Sequence, residues 1–170
     1  SSSSSSSSQP ASSAGESKMD LRAANAIVAR ALEVGHTNKL QPLTVAVLDA
    51  GGALVAFQKE DGASLFREAI ARGKAMGALG FGMDSAGLAK VAAARPAFIN
   101  SAFAATAGNV VPVPGGVLVR DHAGKLIGAV GISGDLSEAD EACAIAGIRA
   151  AGLSCEAIKD SRECYLKAHL

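Results

Sequence analysis

Asp61, Arg67 and Lys74 are the residues whose types and spacing could do chemistry together. Asp61-Gly62 leads into a stretch in which Arg67, Glu68, Arg72 and Lys74 are interleaved with Ala69, Ile70, Ala71, Ala75, Met76 and Leu79. A lysine on a small, apolar helix face either snorkels its ammonium to water or holds an anion. Burial would lower its pKa toward that of a base, and an aspartate beside it would orient it. Asp61-Gly62 is also ordinary turn chemistry. Read functionally, Asp61 pairs with Lys74 or Arg67 and sets a polar pocket.

The other reactive types are scattered. His36, His122 and His169 have no second ligand at metal spacing, which disfavours a structural zinc site. His36 lies just past the end of the first predicted helix, where a cation suits the dipole; axial ligation or proton transfer are its functional alternatives. Cys143, Cys155 and Cys164 form no CxxC pair, and no CxxCH motif exists, which excludes covalent haem attachment. Cys143 reads as a small buried hydrophobe. Gly131-Ile132-Ser133-Gly134-Asp135 has aspartate where a nucleophile elbow needs its second glycine.

These residues need elements to position them. Leu21, Ala24, Ile27, Val28, Ala31 and Leu32 recur at helical spacing, predicting a first helix from Ser17 to Gly35 with a Ser17/Asp20 capping box. Leu43–Asp49 and Ala53–Gln58 flank Ala50-Gly51-Gly52 and predict a hairpin. Helices follow over 64–80, 85–94 and up to Ala105, the second of these stopping at Arg95-Pro96. Gly73 and Gly77 share one face and predict a close helix contact, within the chain or between subunits, because a helix glycine costs about 1 kcal/mol. Pro114-Gly115-Gly116 then enters a second hairpin, with a turn at Asp121-His122-Ala123-Gly124. Gly128, Gly131 and Gly134 lie mostly within its second strand, so they predict close packing rather than a dinucleotide loop, which needs its glycines at a helix start. Ser137–Ala151 is a helix with an acidic first turn, and 154–170 is weakly helical. Two hairpins among several helices define a single α+β domain with an antiparallel sheet.

The 170 residues carry 16 basic and 16 acidic side chains, a balance that disfavours nucleic-acid binding. No apolar run is long enough to span a membrane. An odd number of cysteines fits a reducing compartment, cytoplasmic or organellar. Ser1–Ser8 and the polar residues to 16 read as a flexible serine-rich tail: a cloning remnant, a trimmed precursor end or a natural linker. Residues 17–153 form the domain and 154–170 a C-terminal extension.

Several motifs in order resemble one family. They are Val45-Ala46-Val47-Leu48-Asp49-Ala50-Gly51-Gly52, Phe57-Gln58-Lys59-Glu60-Asp61-Gly62-Ala63, Ile70-Ala71-Arg72-Gly73-Lys74-Ala75, Pro114-Gly115-Gly116-Val117 and Gly128-Ala129-Val130-Gly131-Ile132-Ser133-Gly134, followed by Asp140-Glu141. From about Met19 to Leu153 the chain resembles the GlcG/HbpS family, the haem-degrading or PduO C-terminal-like domain. Lys59 stands where the family often has arginine, keeping the charge but losing a bidentate fork. The resemblance implies a five-stranded antiparallel sheet flanked by helices, and homo-oligomers, commonly octamers. It implies haem as cofactor before a corrinoid. A haem needs an axial ligand and cations for its propionates. His36, Met76, Met83 and Tyr165 are the candidate ligands, Lys59, Arg67, Lys74 and Arg95 the candidate cations, and Gly115-Gly116 the candidate close approach.

Three functions follow as expectations. The first is a tetrapyrrole-binding protein that carries, senses or degrades haem. The second is a small-molecule enzyme using Asp61, Lys74 and Arg67 at a subunit interface. The third is a structural oligomeric module without ligand.

Overall fold

The computed structural model describes residues 17–156. The serine-rich tail, most of the C-terminal extension and the candidates Tyr165, Cys164 and His169 lie outside them. Helix α1 (Leu21–Thr37) leads into strands β1 (Thr44–Asp49) and β2 (Leu54–Lys59). Helices α2 (Arg67–Phe81), α3 (Ser85–Ala94) and α4 (Pro96–Ala105) follow, then β3 (Gly116–Arg120), β4 (Leu126–Ser133) and α5 (Ser137–Ala150). The α+β domain therefore has a four-stranded antiparallel sheet, in the order β2-β1-β4-β3, not the expected five. Ser154 makes a single bridge with Arg120, exchanging N–H···O bonds of 2.7 and 2.9 Å, and does not extend into a ladder. Ser154 is thus paired to the sheet edge rather than opening a helix.

Side-chain alternation along the strands builds a three-layer sandwich. On one face Val45, Val47, Val117, Val119, Val130 and Ile132 pack against α1 and α5, which contribute Ile27, Val28, Ala31, Ala142 and Cys143. On the other, Leu48, Leu118 and Ala129 meet Ala75 and Ala78 of α2. Gly131 makes that second layer possible. A Cβ there would overlap the Ala71 carbonyl oxygen, so only glycine lets α2 lie directly on β4. The glycine face of α2 is also resolved: Gly73 receives Val111, and Gly77 receives Val110 and Leu88, so these glycines serve contacts within the chain.

Helix α1 starts later than its periodicity suggests. Asp20 is its cap, and the aspartate side chain accepts the Ala23 N–H at 2.7 Å. It also runs through Gly35 to Thr37, placing His36 in its last turn. Helix α2 begins at Arg67 rather than Ser64. The outer edge of β3 is sealed by side chains. Ser85 Oγ accepts the Gly116 N–H at 2.7 Å, and Asp84 Oδ1 accepts the Leu118 N–H at 2.8 Å, which leaves that edge little to offer another strand.

Candidate functional site

The end of α1 and the end of β2 meet at the surface. Helical spacing puts Leu32 and His36 on one side of α1, and the chain returns past Leu40 and Pro42 into β1. Gln58, Lys59, Glu60 and Asp61 close the other side, enclosing an open groove of about 510 Å³. Glu60 organises it. Its Oε1 pairs with His36 Nε2, its Oε2 accepts the Leu43 N–H at 2.6 Å, and its own N–H donates to the Leu43 carbonyl at 2.9 Å. One carboxylate therefore fixes an imidazole and the start of β1 together. The His36 side chain is 71% exposed and that of Glu60 16%. The groove thus holds an accessible imidazole with one nitrogen engaged, a lysine, two carboxylates and an apolar wall of Leu32, Leu40 and Pro42.

Lys74 lies in the core. Its Nζ donates to the Ile132 carbonyl at 2.9 Å and to Asp140 Oδ2 at 3.2 Å. Asp140 in turn accepts the N–H groups of Asp135 (3.0 Å) and Gly134 (3.3 Å), so the pair ties α2 to the β4–α5 turn. Gly115 presses on it from the other side, where a Cβ would come within 2.8 Å of Lys74 Nζ. The Gly115 carbonyl also accepts the Ile132 N–H at 2.9 Å. A Cβ at Gly116 would overlap the Lys74 carbonyl. The two side chains of the pair are 3% and 1% exposed. Burial lowers the Lys74 ammonium from its usual range, against the pull of Asp140, and burial raises the Asp140 carboxyl.

The expected residues therefore fall into separate places. His36, Lys59 and Asp61 share the surface groove. Lys74 is paired with Asp140 rather than Asp61. Arg67, at the start of α2, donates through Nη1 to Ser133 Oγ at 3.1 Å. Arg95 is exposed at the α3–α4 corner. Met76 packs under Gly52, and Met83 against Gly87. Sequence reasoning missed Glu60 and Asp140 as partners. Their spacing from His36 and Lys74, 24 and 66 residues, carries no local signal, although both stand inside the motifs that carry the resemblance. Among the described residues no group of three or more His, Cys, Asp and Glu side chains could hold a metal ion.

A small α+β domain with a glycine-lined sheet and an imidazole groove at its edge is the class that these features define. The chain belongs to the HbpS-like family, described as haem degrading proteins, whose model matches residues 19–149. Three solved structures share its fold. The PduOC–haem complex is 24% identical, covering 81% of this chain and 98% of its own, with a TM-score of 0.73. Protein ORFY of Klebsiella pneumoniae is 21% identical, covering 85% and 98%, also at 0.73. A doubly substituted HbpS of Streptomyces reticuli is 22% identical, covering 87% and 97%, at 0.68. No curated protein matches the chain.

Proposed function

We propose that this chain binds haem in the groove between α1 and β2. One observation carries the reading: an exposed imidazole, His36, is held by a carboxylate through one ring nitrogen beside an apolar wall and a lysine. A metal-ligating histidine almost always gives its other nitrogen to such a partner, which orients the ring and raises its basicity. Leu32, Leu40 and Pro42 would take the apolar macrocycle, and Lys59 a propionate. Bound haem would supply iron for ligand binding or oxygen chemistry. The protein's own residues orient the ring, neutralise a propionate and shield one face from water. Membership in a family described as haem degrading supports the same ligand. A corrinoid stands behind haem.

The experiment is a hemin titration of the purified chain. A saturable Soret shift in the wild type, weakened tenfold or more in His36→Ala, supports the reading. A wild type with no Soret shift defeats it. Carriage, sensing and degradation then part on the fate of bound hemin under reductant and oxygen: retention fits the first two, and loss of the Soret band with iron release fits the third.

The reading includes a homo-oligomer, with octamers as the family expectation. Its support is α4, which packs on α3 while Phe98 and Phe103 remain 47% and 52% exposed. Light scattering at micromolar concentration tests it, and a monomeric mass would count against it. A reducing compartment, cytoplasmic or organellar, fits Cys143 and Cys155, both free thiols. No helix among the described residues is long and apolar enough to cross a membrane.

The geometry offers less to an Asp61–Lys74–Arg67 enzyme. A lysine paired with a carboxylate and a carbonyl in the core is not placed to take a substrate proton.

A further inference from the structure

On the α2 side of the sheet, three polar residues stand in a row across three strands. Lys59 of β2 is the direct cross-strand partner of Thr44 of β1, and Thr44 is the direct partner of Ser133 of β4. Pairing partners share a face, so Thr44 and Ser133 project toward the layer that holds α2, and Lys59 leaves the exposed end of β2 on that side, where it also borders the groove. Thr44 and Ser133 are fully buried, yet Thr44 Oγ1 has no hydrogen-bond partner among the described residues. An unpaired buried hydroxyl costs about 1–3 kcal/mol and is rare enough in native proteins to demand a reason. Arg67 reaches the same place from the first turn of α2 and uses one of its donors on Ser133 Oγ, which leaves the serine its own proton to give.

We infer that Thr44, Ser133, Arg67 and Lys59 form a binding site for an organic carboxylate. Adjacent strands lie about 5 Å apart, a spacing at which the two oxygens of one carboxylate reach both hydroxyls. The Arg67 fork and the Lys59 ammonium supply the countercharge, and the nearest core cation, Lys74, is already neutralised by Asp140. Arg67 is half-buried and Lys59 exposed, so the two cations border solvent while the two hydroxyls are buried. A planar, two-oxygen anion uses this row fully. The haem reading is not needed here, because Thr44, Ser133 and Arg67 lie on the α2 layer while His36 and Leu32 belong to α1; only Lys59 is common to both places.

The test is a titration of the ¹⁵N-labelled, hemin-free protein with sodium succinate, against sodium chloride at matched ionic strength. The site predicts saturable amide shifts at Lys59, Thr44 and Ser133 that chloride does not reproduce. Thr44→Val should weaken succinate about tenfold, the loss of one hydrogen bond to a charged group. Without succinate, the same variant should melt at or above the wild-type temperature, because the unpaired hydroxyl is gone. Arg67→Lys keeps the charge, loses the fork and should also bind about tenfold more weakly. Wild-type affinity in both variants overturns the proposal, as does the absence of saturable shifts. So does a lower melting temperature for Thr44→Val without any succinate response, the mark of a structural water. Inorganic phosphate binding more tightly than succinate overturns the carboxylate class. A failed hemin titration leaves each of these outcomes readable.

Discussion

The molecule contains two pairs of a nitrogen base with a carboxylate, in opposite surroundings. Lys74–Asp140 is sealed between α2, β4 and the start of α5, while His36–Glu60 lies at the rim of a groove. In the core each partner has lost water, so each must find its full set of polar contacts in protein. Lys74 takes a carbonyl and a carboxylate; Asp140 takes an ammonium and two N–H groups. Each charge is met inside the protein, away from solvent. At the rim, water replaces any contact not made, the attraction is weak, and the pair can open to a ligand at little cost. Burial, not residue type, separates the fastener from the candidate binding site.

The largest effect should come from breaking the buried pair on one side. Asp140→Ala leaves an uncompensated ammonium and frees the Gly134 and Asp135 N–H groups. It should destabilise the fold by about 3–5 kcal/mol, read by urea unfolding. Replacing both partners with apolar side chains, Lys74→Met with Asp140→Leu, should recover the part due to the uncompensated ammonium, while the Gly134 and Asp135 N–H groups stay unmet. If the double replacement is as unstable as the single one, the pair has a role beyond holding α2 to α5.

The same burial acts on Cys143, on the core side of α5. Desolvation pushes its thiol up to about 12 from 9.0, with Asp140 adding to the shift. A group with a raised folded pKa contributes stability that is complete below its unfolded value and is lost as pH rises through its folded one. The protein should therefore weaken between about pH 9 and pH 12. The three units bound the effect at about 4 kcal/mol, and roughly half of it falls below pH 10.5. Cys143→Ala should flatten that slope in denaturant midpoints measured from pH 8.5 to 10.5. Equal slopes in both proteins would show that Cys143 is wetter than its packing implies.

Periodicity carried most of the fold. Apolar, β-branched runs around glycine turns mark both hairpins, and the 3.6-residue pattern marks α1, because these signals are local. Gly131 was legible for the same reason: a glycine within a strand means a close neighbour, here the Ala71 carbonyl. What lay beyond local pattern was lost. The fifth strand was implied by the resemblance alone; the local pattern at Ser154 reads as helical, whereas the residue makes a single bridge to Arg120. Lys74 was recognised as unusual, yet it was given Asp61 as partner, thirteen residues before it, when the fold supplies Asp140 from another element. Glu60 went unnoticed because its importance rests on where Leu43 and His36 arrive. Charge pairing over long separations is a property of the assembled layers, not of any stretch of chain.

The smallest effects belong at the rim, where they sharpen the contrast most. Glu60→Gln keeps the shape of the side chain and an oxygen to accept the Leu43 N–H, but removes the charge facing His36. Because the imidazole is largely exposed, stability should fall by no more than about 1 kcal/mol, within the range for surface pairs. Hemin binding responds differently if His36 is the ligand. Its partner nitrogen would then face a neutral amide instead of a carboxylate, making the imidazole a poorer donor to ferric iron. Affinity should drop about tenfold, in the range seen when outer partners of ligating histidines are changed, and the reduction potential of the bound haem should rise. A variant with lowered stability but unchanged potential would place Glu60 with Asp140, as a fastener of the fold. A variant with nearly unchanged stability and a raised potential would assign it to the ligand.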